Sequence, residues 1–284
     1  MIFWIASYPK SGNTWLRALI SAYYYSKDGI FDQSILKNIQ QFPEKKHFVG
    51  FDYNQENVVD TTKLWIKSQE KINADKKIKF FKTHNVFGRV NGCDFTNKQN
   101  SAGCIYIVRD PRNVITSLKN YYEMNHETSL KWMTNSKNYI YDTRNFKEDG
   151  YSDFQFISSW SMNCKSWRVQ KKIPIKIIHY EDLFKETYVV FRDIIEFINK
   201  TSDIKEKINK EKLKNSVSST NFNKLKNEEK KIGFVEAVPS RKNEEKIAFF
   251  NLGPDNDWRK ILDKDEQVKL TDIFKEDLIE LGYE

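Results

Sequence analysis

Lys10 stands in the run Ser7-Tyr8-Pro9-Lys10-Ser11-Gly12-Asn13-Thr14-Trp15, which separates an apolar stretch, Ile2 to Ser7, from a helical pattern over Thr14 to Tyr25. A tight loop between a strand and a helix is a place where anions bind. Its backbone N–H groups, the positive end of the helix dipole, a lysine ammonium and Ser or Thr hydroxyls can converge on one phosphate. The loop is not a Walker A motif, because Lys10 precedes Gly12 whereas the Walker lysine follows the final glycine. A second constellation ends another apolar run: Arg109-Asp110-Pro111, with Ser117 further along the helix that Pro111 opens. Arg109 offers a fork of donors matched to phosphate oxygens, and Ser117 a hydroxyl. The third is Lys82-Thr83-His84 at the end of Ile78 to Thr83. Of His47, His84, His126 and His179, only His84 stands at a strand end beside a lysine, where an imidazole can take a proton.

Taken together, Y-P-K-S-G-N-T-W, K-T-H and the Arg109 to Ser117 element resemble the cytosolic-type sulfotransferases, whose donor is 3′-phosphoadenosine 5′-phosphosulfate (PAPS) and whose nucleotide product is 3′,5′-adenosine bisphosphate (PAP). The resemblance implies that Lys10, Ser11, Gly12, Asn13 and Thr14 form the 5′-phosphosulfate loop. Arg109 and Ser117 would bind the 3′-phosphate. Trp15 and Phe222 match the aromatic pair that sandwiches adenine, and Tyr180 matches its adenine-contacting tyrosine. His84 would be the general base, with Lys10 and Lys82 neutralising charge on the transferring group, and no metal is required. Gly253, Asp257 and Trp258 fit the C-terminal R-K-G-x-x-G-D-W motif, but its Arg and Lys are Asn251 and Leu252 here. Arg241 and Lys242 are the nearby cations that could substitute.

These residues need elements to hold them. Ile2 to Ser7, Ile78 to Thr83, Cys104 to Arg109 and Ile173 to Tyr180 are expected as buried strands. Helices are expected over 14–25, 61–72, 111–123, 154–169 and 182–199. Alternation of this kind predicts one α/β domain spanning 1–284, with a central parallel sheet flanked by helices and ligand loops at the strands' carboxyl ends. The Lys- and Glu-rich stretch around 226–248 is expected to be a mobile, lid-like segment. The dimer motif of animal members is missing after Trp258, so the oligomeric state is left open.

Composition narrows the function classes. With 39% hydrophobic and 14% aromatic residues, the 284-residue chain can bury a core, which excludes intrinsic disorder. A mean hydropathy of −0.70 and the lack of a long apolar run exclude a transmembrane segment. Met1 to Ala6 has no basic flank before it and meets Pro9 and Lys10, so no secretory signal is expected. Cys93, Cys104 and Cys164 have no metal-ligand spacing and suggest a reducing, cytoplasmic setting. The net charge of +8 comes from 47 basic residues of which only nine are arginine, so specific nucleic-acid binding is not expected. Aromatic Tyr23, Tyr24, Tyr25, Phe87, Tyr121, Tyr122 and Trp132 are candidate walls for a small-molecule, lipid or glycan acceptor. Two rivals keep a place. A kinase-like enzyme would need a magnesium carboxylate, for which Asp110 is available. A non-catalytic basic protein would explain the charge but not K-T-H beside the loop.

Overall fold

The computed structural model describes residues 1–240 and 245–284. Its core is a parallel five-stranded sheet in the order Gln40–Gln41, Lys79–Thr83, Ile2–Ser7, Ser101–Val108, Ile175–His179. Ile2–Ser7 and Ser101–Val108 are buried along their whole length, as strands covered by helices on both faces must be. Side chains alternate between those faces. Ile2, Trp4 and Ala6 join Cys104 and Tyr106 in one cluster, while Phe3 and Ile5 join Ile105 and Ile107 in the other.

The chain leaves Ile2–Ser7 toward one edge of the sheet and resumes through Ser101–Val108 toward the other. In open α/β sheets ligands bind in the crevice outside the carboxyl ends at such a reversal. Helix Asn13–Tyr25 follows the first strand and turns Leu16, Leu19, Ile20 and Tyr23 onto the sheet, the spacing of a single apolar stripe. Helix Pro111–Tyr121 begins as expected, with Pro111 in its first turn and the Asp110 side chain accepting from Arg112 N at 2.9 Å.

Three expected helices are broken. A 3₁₀ turn, Asp60–Leu64, precedes helix Trp65–Ile72. Residues 154–159 are not helical: Gln155 and Phe156 pair with Ile140 and Tyr139 in a two-stranded ribbon, and Ser158 has a left-handed φ of 57°. Ser159 then caps helix Trp160–Val169 by accepting from Met162 N. Glu186 interrupts the last pattern, leaving Tyr180–Lys185 and Thr187–Thr201. Tyr180 thus opens a helix instead of closing a strand.

The segment 226–248 starts inside helix Phe222–Ile232. Beyond it Phe234 and Ala237 pack with Ala18, Ala22 and Leu36, fastening residues 233–240 to the first helix. Among the described residues no helix is long and apolar enough to cross a membrane.

Candidate active site

All five strands deliver their carboxyl ends to one cavity of about 1580 Å³. From the first comes the Ser7 to Thr14 loop. It takes a shape that side chains resist: Lys10 has a φ of 67° and Gly12 one of 98°. Gly12 is required twice over, since a Cβ there would meet the Tyr180 ring at 2.5 Å. Tyr180 in turn carries the Arg109 guanidinium 4.3 Å above its centre, and Arg109 Nη1 donates to the Lys10 carbonyl at 3.2 Å. Lys10, Gly12, Asn13, Thr14, Trp15, Lys82, His84, Arg109, Ser117, Tyr180, Phe222 and Gly253 all line the cavity. Ser11 lies just behind its wall, with Oγ buried and unpartnered. Arg241 and Lys242 lie outside the described residues.

The lysines sit in unusual surroundings. Lys10 Nζ lies 3.6 Å from the ring centre of Tyr121 and 4.5 Å from that of Phe249, and among the described residues it has no salt-bridge carboxylate. Burial pulls its ammonium down to about 7; Glu236 opposes this, while Arg109 and Lys82 add to it. Burial also lowers Lys82, although Lys82 Nζ lies 3.4 Å from Glu236 Oε1.

His84 is held at every backbone and ring position the mechanism needs. Gln155 Oε1 accepts from His84 N at 2.7 Å, and Asn163 Nδ2 donates to His84 O at 2.9 Å. The ring's Nδ1 stands 2.7 Å from the Ser7 carbonyl. A carbonyl can only accept, so Nδ1 carries the proton and Nε2 keeps a free lone pair. Burial and the charge of Lys82 push the imidazole to about 3, against the Ser7 carbonyl, so it is neutral at physiological pH.

Some expected residues do other work. Asn13 turns its amide inward, donating to Ile5 O at 3.1 Å and Ser7 Oγ at 3.2 Å, which ties the loop to the strand. Trp15 Nε1 donates to Thr220 O at 3.0 Å, fixing the indole plane against the cavity. Gly253 is needed because a Cβ there would meet the Phe222 ring at 2.1 Å. Asp110 accepts three bonds from the Arg112 guanidinium besides capping its helix, so it is spent on structure and not free for a magnesium ion. Of the seven aromatic candidates for the acceptor wall, Tyr121 and Tyr122 line the cavity. Tyr23, Tyr24 and Tyr25 pack instead on Phe80 and Phe191, Phe87 on Trp167, and Trp132 on Tyr8. Among the described residues no group of three or more His, Cys, Asp or Glu is placed to hold a metal ion.

Glu236 escaped the sequence reading. Its carboxylate accepts from Thr14 Oγ1 at 2.6 Å, pairs with Arg17 and faces Lys82, while its carbonyl accepts from Tyr121 at 3.1 Å. Burial alone would raise this carboxyl; Lys82 and Arg17 outweigh that and hold it far below the usual range. Glu236→Ala is expected to destabilise the fold by about 3 kcal/mol in urea unfolding, the low end for removing one partner of a buried pair. The figure is low because Glu236 keeps 22% of its side chain exposed, against 6% for Arg17. With its folded pKa depressed, this stabilisation is complete above about pH 4.5 and declines as the pH falls below it.

Among the described residues, Lys226 brings a cation to the position of the missing Arg-Lys pair, its Nζ donating to Asn251 O at 2.6 Å.

The sulfotransferase domain model matches residues 2–282. The chain belongs to this family. This sulfotransferase-family chain is 26% identical over 228 residues to luciferin sulfotransferase of Photinus pyralis, a match covering 78% of the chain and 56% of that protein. It is 22% identical over 281 residues to flavonol 3-sulfotransferase of Flaveria bidentis, covering 96% and 80%. Its fold matches a mouse sulfotransferase solved with PAP at a TM-score of 0.57 and 18% identity, over 97% of this chain and 83% of that one. Retinol dehydratase, solved with androsterone and PAP, aligns at a TM-score of 0.56 and 15% identity, over 98% and 80%. The shared architecture is the single α/β domain with its central parallel sheet.

Proposed function

We propose that the chain transfers the sulfuryl group of PAPS to a hydroxyl or amine of an acceptor. The observation that carries this reading is the meeting of Lys10, Lys82, Arg109 and a neutral His84 with a free Nε2 in one cavity. Curated relatives named as sulfotransferases and folds solved with PAP support it. The residues fit an anionic nucleotide: Ser11 Oγ and Arg109 Nε are buried without partners among the described residues, and Gly12 keeps the loop open where a side chain would meet the Tyr180 ring.

PAPS supplies an activated sulfuryl group on a phosphate leaving group. Ser11 and the loop N–H groups, that of Thr14 included, hold the 5′-phosphate, while Arg109 and Ser117 take the 3′-phosphate and Lys226 adds charge where Asn251 and Leu252 offer none. Trp15, Tyr180 and Phe222 supply the faces for adenine. His84 Nε2 takes the acceptor's proton as the acceptor oxygen or nitrogen bonds to sulfur and the sulfur–phosphate oxygen bond breaks. Lys10 and Lys82 neutralise the charge that gathers on that leaving oxygen. An anion above Lys82 also offsets the charge that depresses His84, making the imidazole a better base once donor is in place. Residues 233–240 act as a cover over this chemistry, anchored by Glu236. The free thiols Cys93, Cys104 and Cys164 fit a reducing compartment, and we place the protein in the cytoplasm.

Calorimetric titration with PAP, beside ATP with and without Mg²⁺, tests the donor assignment. Tight, metal-independent binding of PAP is expected; preference for Mg·ATP overturns it. The same titration reads Lys10. Neutral above about pH 7 in the free protein, its amine is expected to regain its proton beside the phosphates. Binding at pH 8.5 should therefore take up on the order of one proton, and affinity should fall up to tenfold per pH unit above 7. Titrations in buffers of different ionisation enthalpy measure that uptake, and none would remove Lys10 from the anion's contacts.

A further inference from the structure

The chain supplies an anion of its own to the first turn of helix Asn13–Tyr25. Gly12 precedes that helix without a side-chain cap, and the first turn holds no acidic residue, so its open N-terminus attracts negative charge. Glu236 brings that charge from 222 positions away. Its Oε2 accepts from Thr14 Oγ1 at 2.6 Å, while its Oε1 pairs with Arg17 Nη1 and lies 3.4 Å from Lys82 Nζ. Thr14, Arg17, Lys82 and Glu236 all line the cavity that Lys10 and His84 share. A hydroxyl, a guanidinium and an ammonium around one pair of anionic oxygens are the partners that a phosphate or sulfate takes. A threonine hydroxyl has one proton to donate, so Thr14 Oγ1 cannot serve Glu236 and a phosphate at once. Nor can two anions stand side by side on Lys82 without the repulsion of like charges.

Resting on the sulfotransferase reading, we propose that the Glu236 carboxylate is a built-in competitor of the donor: it holds the place of the 5′-phosphosulfate in the free protein, and PAPS displaces it from Thr14 and Lys82. The backbone need not follow. Tyr121 donates its hydroxyl to the Glu236 carbonyl, and Phe234 and Ala237 stay packed with Ala18, Ala22 and Leu36, so residues 233–240 remain over the cavity while the side chain turns away. Arg17, fixed by its bond to the Ile39 carbonyl at 2.7 Å, keeps a partner for the carboxylate close by, ready for its return when the nucleotide leaves. The exchange weakens every nucleotide that carries a 5′-phosphate and leaves one without it untouched.

The test is calorimetric titration of wild type and Glu236→Gln with PAP and with adenosine 3′-phosphate, which lacks the 5′-phosphate. Glutamine keeps an oxygen for Thr14 and Arg17 but not the charge, and urea unfolding checks that the variant is folded. Glu236→Gln is expected to bind PAP about tenfold tighter than wild type or more, the worth of one hydrogen bond to a charged group, and to bind adenosine 3′-phosphate within about twofold of wild type. PAP binding by the variant alone is the same result in its extreme form. No gain for PAP overturns the proposal, and so does an equal gain for both ligands, which is a general effect of charge. A crystal structure of wild type with PAP answers without any variant. The Thr14 hydroxyl and Lys82 are expected on the 5′-phosphate with the carboxylate off both; a Glu236 carboxylate still bonded to Thr14 beside bound PAP overturns the proposal and leaves the donor reading standing. Absence of PAP binding by both proteins instead overturns the sulfotransferase reading itself, and the proposal with it.

Discussion

His84→Ala is expected to lower kcat by about 10²- to 10⁴-fold, the usual worth of a positioned general base, with PAP affinity unchanged. The split follows from what the residue touches. Its backbone is pinned by Gln155 and Asn163, and its ring by the Ser7 carbonyl, so alanine removes the imidazole without releasing the strand end. The ring contacts no residue of the aromatic faces assigned to adenine. Single-turnover sulfation, with PAP titrated separately, separates the two quantities. Full turnover by the variant would remove His84 from the base role.

The second large effect is on binding. Arg109→Ala is expected to weaken PAP about 10- to 150-fold, corresponding to roughly 1.5–3 kcal/mol for a hydrogen bond to a charged group. Arg109 is 7% exposed, stacked on Tyr180 and bonded to the Lys10 carbonyl, so its guanidinium is oriented before any ligand arrives. Arg109→Lys keeps the charge but not the planar fork or the stacking, and should recover only part of the loss. Calorimetry on the two variants decides. Equal affinity in wild type and Arg109→Ala would mean that the 3′-phosphate lies elsewhere, with Lys226 the next residue to replace.

Most of what was legible in the sequence lies at strand ends, where local rules are strong. The Ser7 to Trp15 loop needs a glycine, a cap and a helix start in sequence, and Asp110-Pro111 announces its helix by capping chemistry alone. Residues 154–159 misled because Phe154, Ile157 and Trp160 recur at helical spacing, yet ribbon pairing and the left-handed turn at Ser158 prevail. Glu236 had no local signal. It is one glutamate in a Lys- and Glu-rich stretch, and its partner Arg17 lies 219 positions away. The tyrosines at 23–25 and the Gln155 amide were equally opaque, since only packing decides which aromatic faces the core and which amide faces a cavity.

The cavity is lined by His84, bonded to the buried Ser7 across 77 positions, and by Lys10 and Arg109, 99 apart, joined through neighbouring parallel strands. Contacts of that range close late, after the loop entropy of a parallel sheet has been overcome. A partly folded chain lacking the Ser101–Val108 strand lacks Arg109 and with it one wall of this cavity. On the proposed donor assignment, nucleotide recognises only the finished sheet, and by mass action it would hold newly made chains in the native state without assisting any earlier step of folding.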